Sequence, residues 1–240
     1  MADIHFMIQG KGGVGKSVIC ALLTQKLLDS GRTVDCFDTD PVNATFHNYK
    51  GLGVTFLDIM ENGEVNSRKF DDLMESIVAT TANAVVIDNG ASCFIPLTSY
   101  MYQNGAIDIL LEHGHNVFIH TVVTGGQAIM DTLAGMAQLC ETFAESKAQI
   151  VVWENMFWGK VVADNKEFKD MKVYKSNSGI IKFVIKIDEM PAQTDKVDFS
   201  DMLSQKLTFK EALASDRKMM VKSRLTKVRN QIYTAIGEFF

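Results

Sequence analysis

The stretch Gly10-Lys11-Gly12-Gly13-Val14-Gly15-Lys16-Ser17 has the residue types and the spacing to hold a phosphate chain. It fits the pattern G-x-x-x-x-G-K-S and carries a second lysine, Lys11, inside the loop. Glycines let the backbone curl around an anion with its N–H groups pointing inward, where side chains would hold the phosphates away. Lys16 supplies positive charge to the β- and γ-phosphates, and the Ser17 hydroxyl is a ligand for Mg²⁺. Val18 begins a helical run, so the anion also meets a helix N-terminus whose dipole favours it.

Two acidic segments complete the chemistry. Asp38-Thr39-Asp40-Pro41-Val42-Asn43 puts two carboxylates, a rigid proline and an amide on one short stretch. Phosphoryl transfer to water needs a group that holds the water in line with the γ-phosphate. Asp40 is the candidate for that task, and Asn43 for contact with the phosphate or the Mg²⁺ shell. The same residues also fit an Asx-type turn, and both readings stand at this point. Asp88-Asn89-Gly90 follows the apolar run Ala84-Val85-Val86-Ile87. An acid ending a buried strand beside a phosphate loop is the expected Mg²⁺ ligand. Gly90 leaves room for the backbone to approach the γ-phosphate.

These residues need strands and helices to bring them together. Strand signals recur at 4–9, 33–38, 84–88, 116–123, 149–154 and 180–187, several of them continuous apolar runs, as strands buried on both faces are. Helical patterns lie between them, one over 18–28 and the clearest after Gly125-Gly126, with Ile129, Leu133, Met136, Ala137, Cys140 and Phe143 at helical spacing. This alternation predicts an α/β fold of the phosphate-loop NTPase kind, a mostly parallel sheet with helices on both faces. Ligands bind beyond the C-terminal strand ends in such sheets, and the candidate residues fall there.

Composition bounds the rest. The chain has 240 residues, 47% hydrophobic and 22% charged, enough apolar material for one sizeable core. With no Pro/Ser-rich linker or repeat, residues 1–240 read as a single domain. A formal net charge of -5 argues against coating nucleic acid over the whole surface, though not against a local basic patch. Four scattered cysteines and no C-x-x-C pair fit a reduced, cytoplasmic protein, and no apolar run is long enough for a membrane span. Arg217, Lys218, Lys222, Arg224, Lys227 and Arg229 lie on a predicted amphipathic helix over about 216–239. That helix lies on lipid or DNA, or packs its apolar stripe on the sheet, in which case the basic face is still open to nucleic acid. His113, His115 and His120 show no metal-ligand spacing, and Trp153 and Trp158, on either side of Asn155, read as packing residues, with a pocket wall or a partner surface as the alternative.

The two-lysine loop and the acidic segments resemble the ParA/MinD group of deviant Walker A ATPases. The resemblance implies ATP and Mg²⁺ as cofactors and an ATP-dependent homodimer. In it, Lys11 reaches the nucleotide of the partner subunit, and switch loops match Asp38–Asn43 and Asp88–Ser92. It also implies that Asn155 recognises adenine, with Pro191 on a second adenine-side loop. Catalysis then falls to Lys11, Lys16 and Asp40. The family usually has D-x-x-P after the strand-three aspartate; Asp88-Asn89-Gly90-Ala91-Ser92 lacks the proline, which implies a more flexible switch. Further segments, including His120–Ala128 and Asp198–Phe209, resemble the TraL conjugal-transfer proteins of plasmids. The implied setting is conjugation, with transfer machinery or plasmid DNA as partner. The expected function is thus a switch ATPase that dimerises around ATP and hydrolyses it slowly. The alternative is an ATP-dependent positioning module with little turnover. A phosphate-loop kinase fits less well, because of Lys11 and the Asp-x-Asp-Pro segment.

Overall fold

The computed structural model of the chain describes residues 1–190 and 192–240. The first half runs β1 (Asp3–Met7), α1 (Lys16–Asp29), β2 (Val34–Asp38), β3 (Thr55–Phe56), a hairpin of β4 (Met60–Glu61) and β5 (Glu64–Val65), α2 (Lys69–Val78), β6 (Ala84–Asp88), α3 (Phe94–Gln103) and α4 (Ala106–Glu112). The second half runs β7 (Asn116–Thr124), α5 (Ile129–Thr142), β8 (Gln149–Asn155), a hairpin of β9 (Val162–Ala163) and β10 (Lys166–Glu167), α6 (Lys172–Asn177), β11 (Ile181–Ile187), α7 (Gln193–Ser204), α8 (Phe209–Ala214) and α9 (Met219–Gly237). Seven strands form one parallel sheet in the order β11-β8-β7-β1-β6-β2-β3.

β1 lies between β6 and β7, both later in the chain, so connections leave it toward either side and open a crevice at its C-terminal end. Register aligns that end. Met7 stands opposite Asp88 on one side and His120 on the other, and Asp38 stands opposite Asp88. The two acids therefore emerge level with the start of the glycine loop.

Apolar layers cover both sheet faces. One holds Ile4, Phe6, Ile87, Leu97, Ile119, Met136 and Val152; the other holds Val86, Val122, Trp153, Ile185 and the apolar residues of α1 from Ile19 to Leu27. Ile19, Cys20, Ala21, Leu22, Leu23 and Leu27 are buried around the full circumference of α1. A helix apolar all round must be covered on both sides, and β6 and α9 do so.

α9 is the predicted amphipathic helix. Leu225, Val228, Ile232 and Ile236 bury its apolar stripe. Its basic face is partly neutralised within the chain. Arg217 pairs with Asp201 at 2.9 Å, Arg224 with Asp198 at 2.5 Å and Lys227 with Asp195 at 3.0 Å, all three acids lying on one face of α7. Three of the six basic residues are thus occupied by a neighbouring helix. The apolar stripe is thus packed inside the fold, as the sequence reading of a sheet-covering helix has it.

Beneath α9 lies a buried polar chain. The Trp153 indole N–H donates to His120 Nδ1 at 2.8 Å, and His120 Nε2 meets His5 Nδ1 at 2.9 Å. Because His120 Nδ1 accepts, its proton sits on Nε2 and is donated to His5, so both imidazoles are neutral. Burial drives His5 from 6.5 down to about 3, with a smaller push from Arg32, and drives His120 well below 6.5. The folded state therefore refuses protons that the unfolded chain takes up below about pH 6.5. Stability is full above that pH and falls as pH drops toward the folded values. We expect a loss of about 2 kcal/mol from His5 at pH 5 relative to pH 7.5, with His120 acting in the same direction. Urea unfolding of the protein and of His5→Phe at both pH values checks this. Equal pH slopes for the two would remove His5 from the account.

Candidate functional site

The glycine loop fills the crevice above β1. Gly13 and Gly15 have φ of 75° and 102°, a region open to glycine and strained for other residues. Gly15 caps α1, which begins at Lys16. The loop forms one wall of a cavity of about 550 Å³, a size suited to a small-molecule ligand. Of the predicted residues, Gly12, Gly13, Gly15, Lys16, Ser17, Val18, Asp40, Asn43 and Asn155 line it. Gly10 and Val14, expected on the wall, lie behind it. Gly10 packs against the Phe94 ring, where a Cβ would stand 3.3 Å away, and Val14 is buried in the layer below the loop. Pro191 lies outside the described residues.

Charge is concentrated at the loop end of the cavity. Lys16 is buried, and its Nζ donates to the Lys11 carbonyl at 3.2 Å. Burial lowers its pKa, against the raising influence of Asp88 and Asp40. Asp88 is buried with no hydrogen-bond partner on either carboxylate oxygen among the described residues. Burial pushes it up to about 7, opposed by the Ser17 hydroxyl and by Lys16. A buried carboxylate with no hydrogen-bond partner, beside the Ser17 hydroxyl, supplies the oxygen ligands that a hard divalent cation takes.

The two acidic segments interlock. Asp38 is buried and accepts from the Asp40 N–H at 2.9 Å and the His47 N–H at 2.8 Å, so it organises the segment from inside. Asp40 Oδ1 accepts from the N–H groups of Val42 and Asn43 at 3.0 and 3.1 Å. The Asx-type turn is therefore present, and the Asp40 side chain still reaches the cavity wall. The Thr39 hydroxyl donates to Asn89 Oδ1 at 2.9 Å, and Asn89 Nδ2 donates to the Met7 carbonyl at 3.1 Å. Asn89 thus ties the second segment to the first and to β1. A Cβ on Gly90 would meet Asp40 Oδ1 at 2.7 Å, so the close approach of the two segments also requires a glycine there.

Asn155 is held at the other end. Its Nδ2 donates to the Val14 carbonyl at 3.0 Å and its Oδ1 accepts from the Phe157 N–H at 3.1 Å, so it fastens the glycine loop to the turn after β8. Sequence reasoning missed the apolar wall next to it. Phe157, Ile187, Phe199 and Leu203 line the cavity, joined by Trp158, which is 58% exposed rather than packed inside. Phe199 and Leu203 entered the sequence reading only within the TraL-like segment, a resemblance that does not tell a cavity wall from a core.

Lys11 does not point into the cavity. Its Nζ pairs with Asp131 on α5 at 2.7 Å, with side chains 44% and 57% exposed. The family model described as the CobQ/CobB/MinD/ParA nucleotide binding domain matches residues 6–193. Protein TraL of Escherichia coli is 48% identical over 234 residues, 97% of this chain and 96% of that protein. The chain belongs to the MinD/ParA family, in its TraL group. Among solved MinD/ParA-family structures, the cell division ATPase MinD of Pyrococcus furiosus superposes with a TM-score of 0.58 at 15% identity, over 98% of this chain and 99% of that one. The septum site-determining protein MinD of Pyrococcus horikoshii, complexed with Mg-ADP, gives 0.56 at 14% identity, over 97% and 96%. At such identities these two structures establish the shared fold, and the family model places the chain within the family.

Proposed function

We propose that the chain is a single-domain cytoplasmic ATPase switch of plasmid conjugal transfer, the setting that the resemblance to TraL implies. It binds ATP with Mg²⁺, closes into a two-fold dimer and reopens on slow hydrolysis. The observation that carries the reading is the division of labour between two lysines on one loop. Lys16 is buried at the cavity wall, and Lys11 is presented outward on the rim.

Lys16 and the loop N–H groups hold the phosphates. Ser17 and Asp88 hold the cation, which when bound neutralises charge on the phosphate oxygens. Asp40 orients the attacking water, and Asn43 contacts the phosphate. Asn155 and the Phe157–Phe199 wall take the base. Val42, Ile95, Met130 and Trp158 are 58–73% exposed on segments following the strand ends. Exposed apolar side chains grouped on one face mark an interaction surface, which supports a partner subunit covering the loop. Transfer machinery or plasmid DNA is the proposed downstream partner.

Hydrolysis at Asp40 tests the enzymatic half. Water positioning acts in the transition state and leaves ground-state binding alone. Asp40→Ala is expected to slow single-turnover hydrolysis by about a hundredfold with ATP affinity within about threefold of the parent. Asp40→Asn separates the carboxylate's two duties, since the amide oxygen keeps the turn and the charge is gone. It is expected to be as slow as Asp40→Ala. A parental rate in Asp40→Asn would assign Asp40 to the turn alone, and no hydrolysis by the parent would leave a positioning module.

A further inference from the structure

Gln9, the residue just before the glycine loop, is buried at 1% exposure, yet it carries a full amide. Its Nε2 donates to the Val122 carbonyl at 2.9 Å and lies within 3.2 Å of both Thr121 Oγ1 and the Thr132 carbonyl. Carbonyl oxygens only accept, so the amide can be placed one way round. The nitrogen faces β7 and α5, and the oxygen faces the loop. That oxygen accepts from the Lys11 backbone N–H at 3.3 Å. α5 leaves room for it. A Cβ on Gly135 would stand 2.4 Å from Gln9 Oε1, closer than any carbon and oxygen can pack.

Lys11 is consequently held at three points of unequal character. Its carbonyl is held by Lys16, which has phosphates to serve once a nucleotide binds. Its ammonium is held by Asp131 at a solvent-exposed site, where a salt bridge is weak and exchangeable. Its N–H is held by Gln9, which is buried and has no competing duty. We propose that Gln9 is the positioning residue of Lys11: it fixes the lysine's backbone to β7 and α5 so that the ammonium can leave Asp131 for an anion outside its own cavity without the loop moving. The inference rests on the proposed reading of Lys11 as the residue that reaches a partner's nucleotide.

Four proteins are compared with a non-hydrolysable ATP analogue and Mg²⁺: parent, Lys11→Ala, Gln9→Leu and Gly135→Ala, the last displacing the amide without removing it. Analogue affinity, dimer dissociation constant and thermal midpoint are read for each. Gln9→Leu and Gly135→Ala are expected to bind the analogue within about threefold of parent and to dimerise at least about tenfold more weakly, the loss of one buried hydrogen bond. The double variant Gln9→Ala/Gly135→Ala removes the clash. It is expected to regain the midpoint lost by Gly135→Ala and not the dimerisation. Parental dimerisation in Gln9→Leu, or a double variant that regains midpoint and dimerisation together, would overturn the proposal and leave Gln9 a packing residue. A parent that fails to dimerise, or a Lys11→Ala protein that dimerises like it, would instead bring down the reading of Lys11, and this inference with it.

Discussion

Lys16→Ala is expected to abolish measurable ATP binding. The ammonium is the buried positive charge at the cavity's loop end, close enough to Asp88 and Asp40 for both to raise its pKa. Removing it has two consequences of the same sign. The phosphates lose charge-assisted hydrogen bonds, and the carboxylates of Asp88 and Asp40 are left facing a polyanion without a counter-charge. Together these weaken binding by about 3 kcal/mol or more, over about a hundredfold in Kd. Calorimetric titration with ATP and Mg²⁺ checks it, with circular dichroism showing that the variant is folded. An affinity within a few-fold of the parent would remove the phosphates from this loop. Lys16→Arg is also expected to bind poorly, since its planar fork does not fit a site shaped for a compact ammonium that also reaches the Lys11 carbonyl.

Much of this site is legible in sequence because its chemistry is local. The glycine loop needs neighbours only, and the six strand readings end within two residues of the observed strands, since continuous apolar runs carry their own length. Asp38 and Asp88 followed from strand ends alone, and Asn155 only from the family resemblance. What escaped were residues whose meaning depends on a distant partner. Gln9 looked like the last residue of a strand until β7 and α5 came within reach of its amide. Asn89 looked like part of a turn until Thr39 and Met7 met it. Asp131 has no motif, and its pairing with Lys11 spans the two sides of the crevice. The hairpins were missed for another reason. Asn62-Gly63 is a strong turn signal, with φ of 52° and 85°, but the strands beside it are two residues long and too short to show alternation.

Lys11→Ala is expected to keep ATP binding and lose ATP-dependent dimerisation. A phosphate loop needs one lysine for its own nucleotide, and two ammonium groups on so short a loop repel each other. The repulsion is relieved here by divergence: Lys16 turns inward to the Lys11 carbonyl, and Lys11 turns outward to Asp131. The Asp131 pair is half-exposed on both sides and is worth at most about 1 kcal/mol, so it holds the ammonium only until a stronger anion arrives. A triphosphate in a facing subunit, shielded from water by the rim of Val42, Ile95 and Met130, is such an anion. A two-fold axis makes the contact twice. Two charge-assisted contacts at about 2 kcal/mol each amount to about a thousandfold in the dimer dissociation constant. Sedimentation velocity is expected to find a monomer without nucleotide or with ADP, and a dimer with a non-hydrolysable ATP analogue and Mg²⁺. With Lys11→Ala it is expected to find a monomer throughout, although the analogue still binds to Lys16. Asp131→Ala frees the ammonium and is expected to dimerise at least as well as the parent. A Lys11→Ala protein that dimerises normally, or an oligomer indifferent to nucleotide, would refute the two-lysine division of labour.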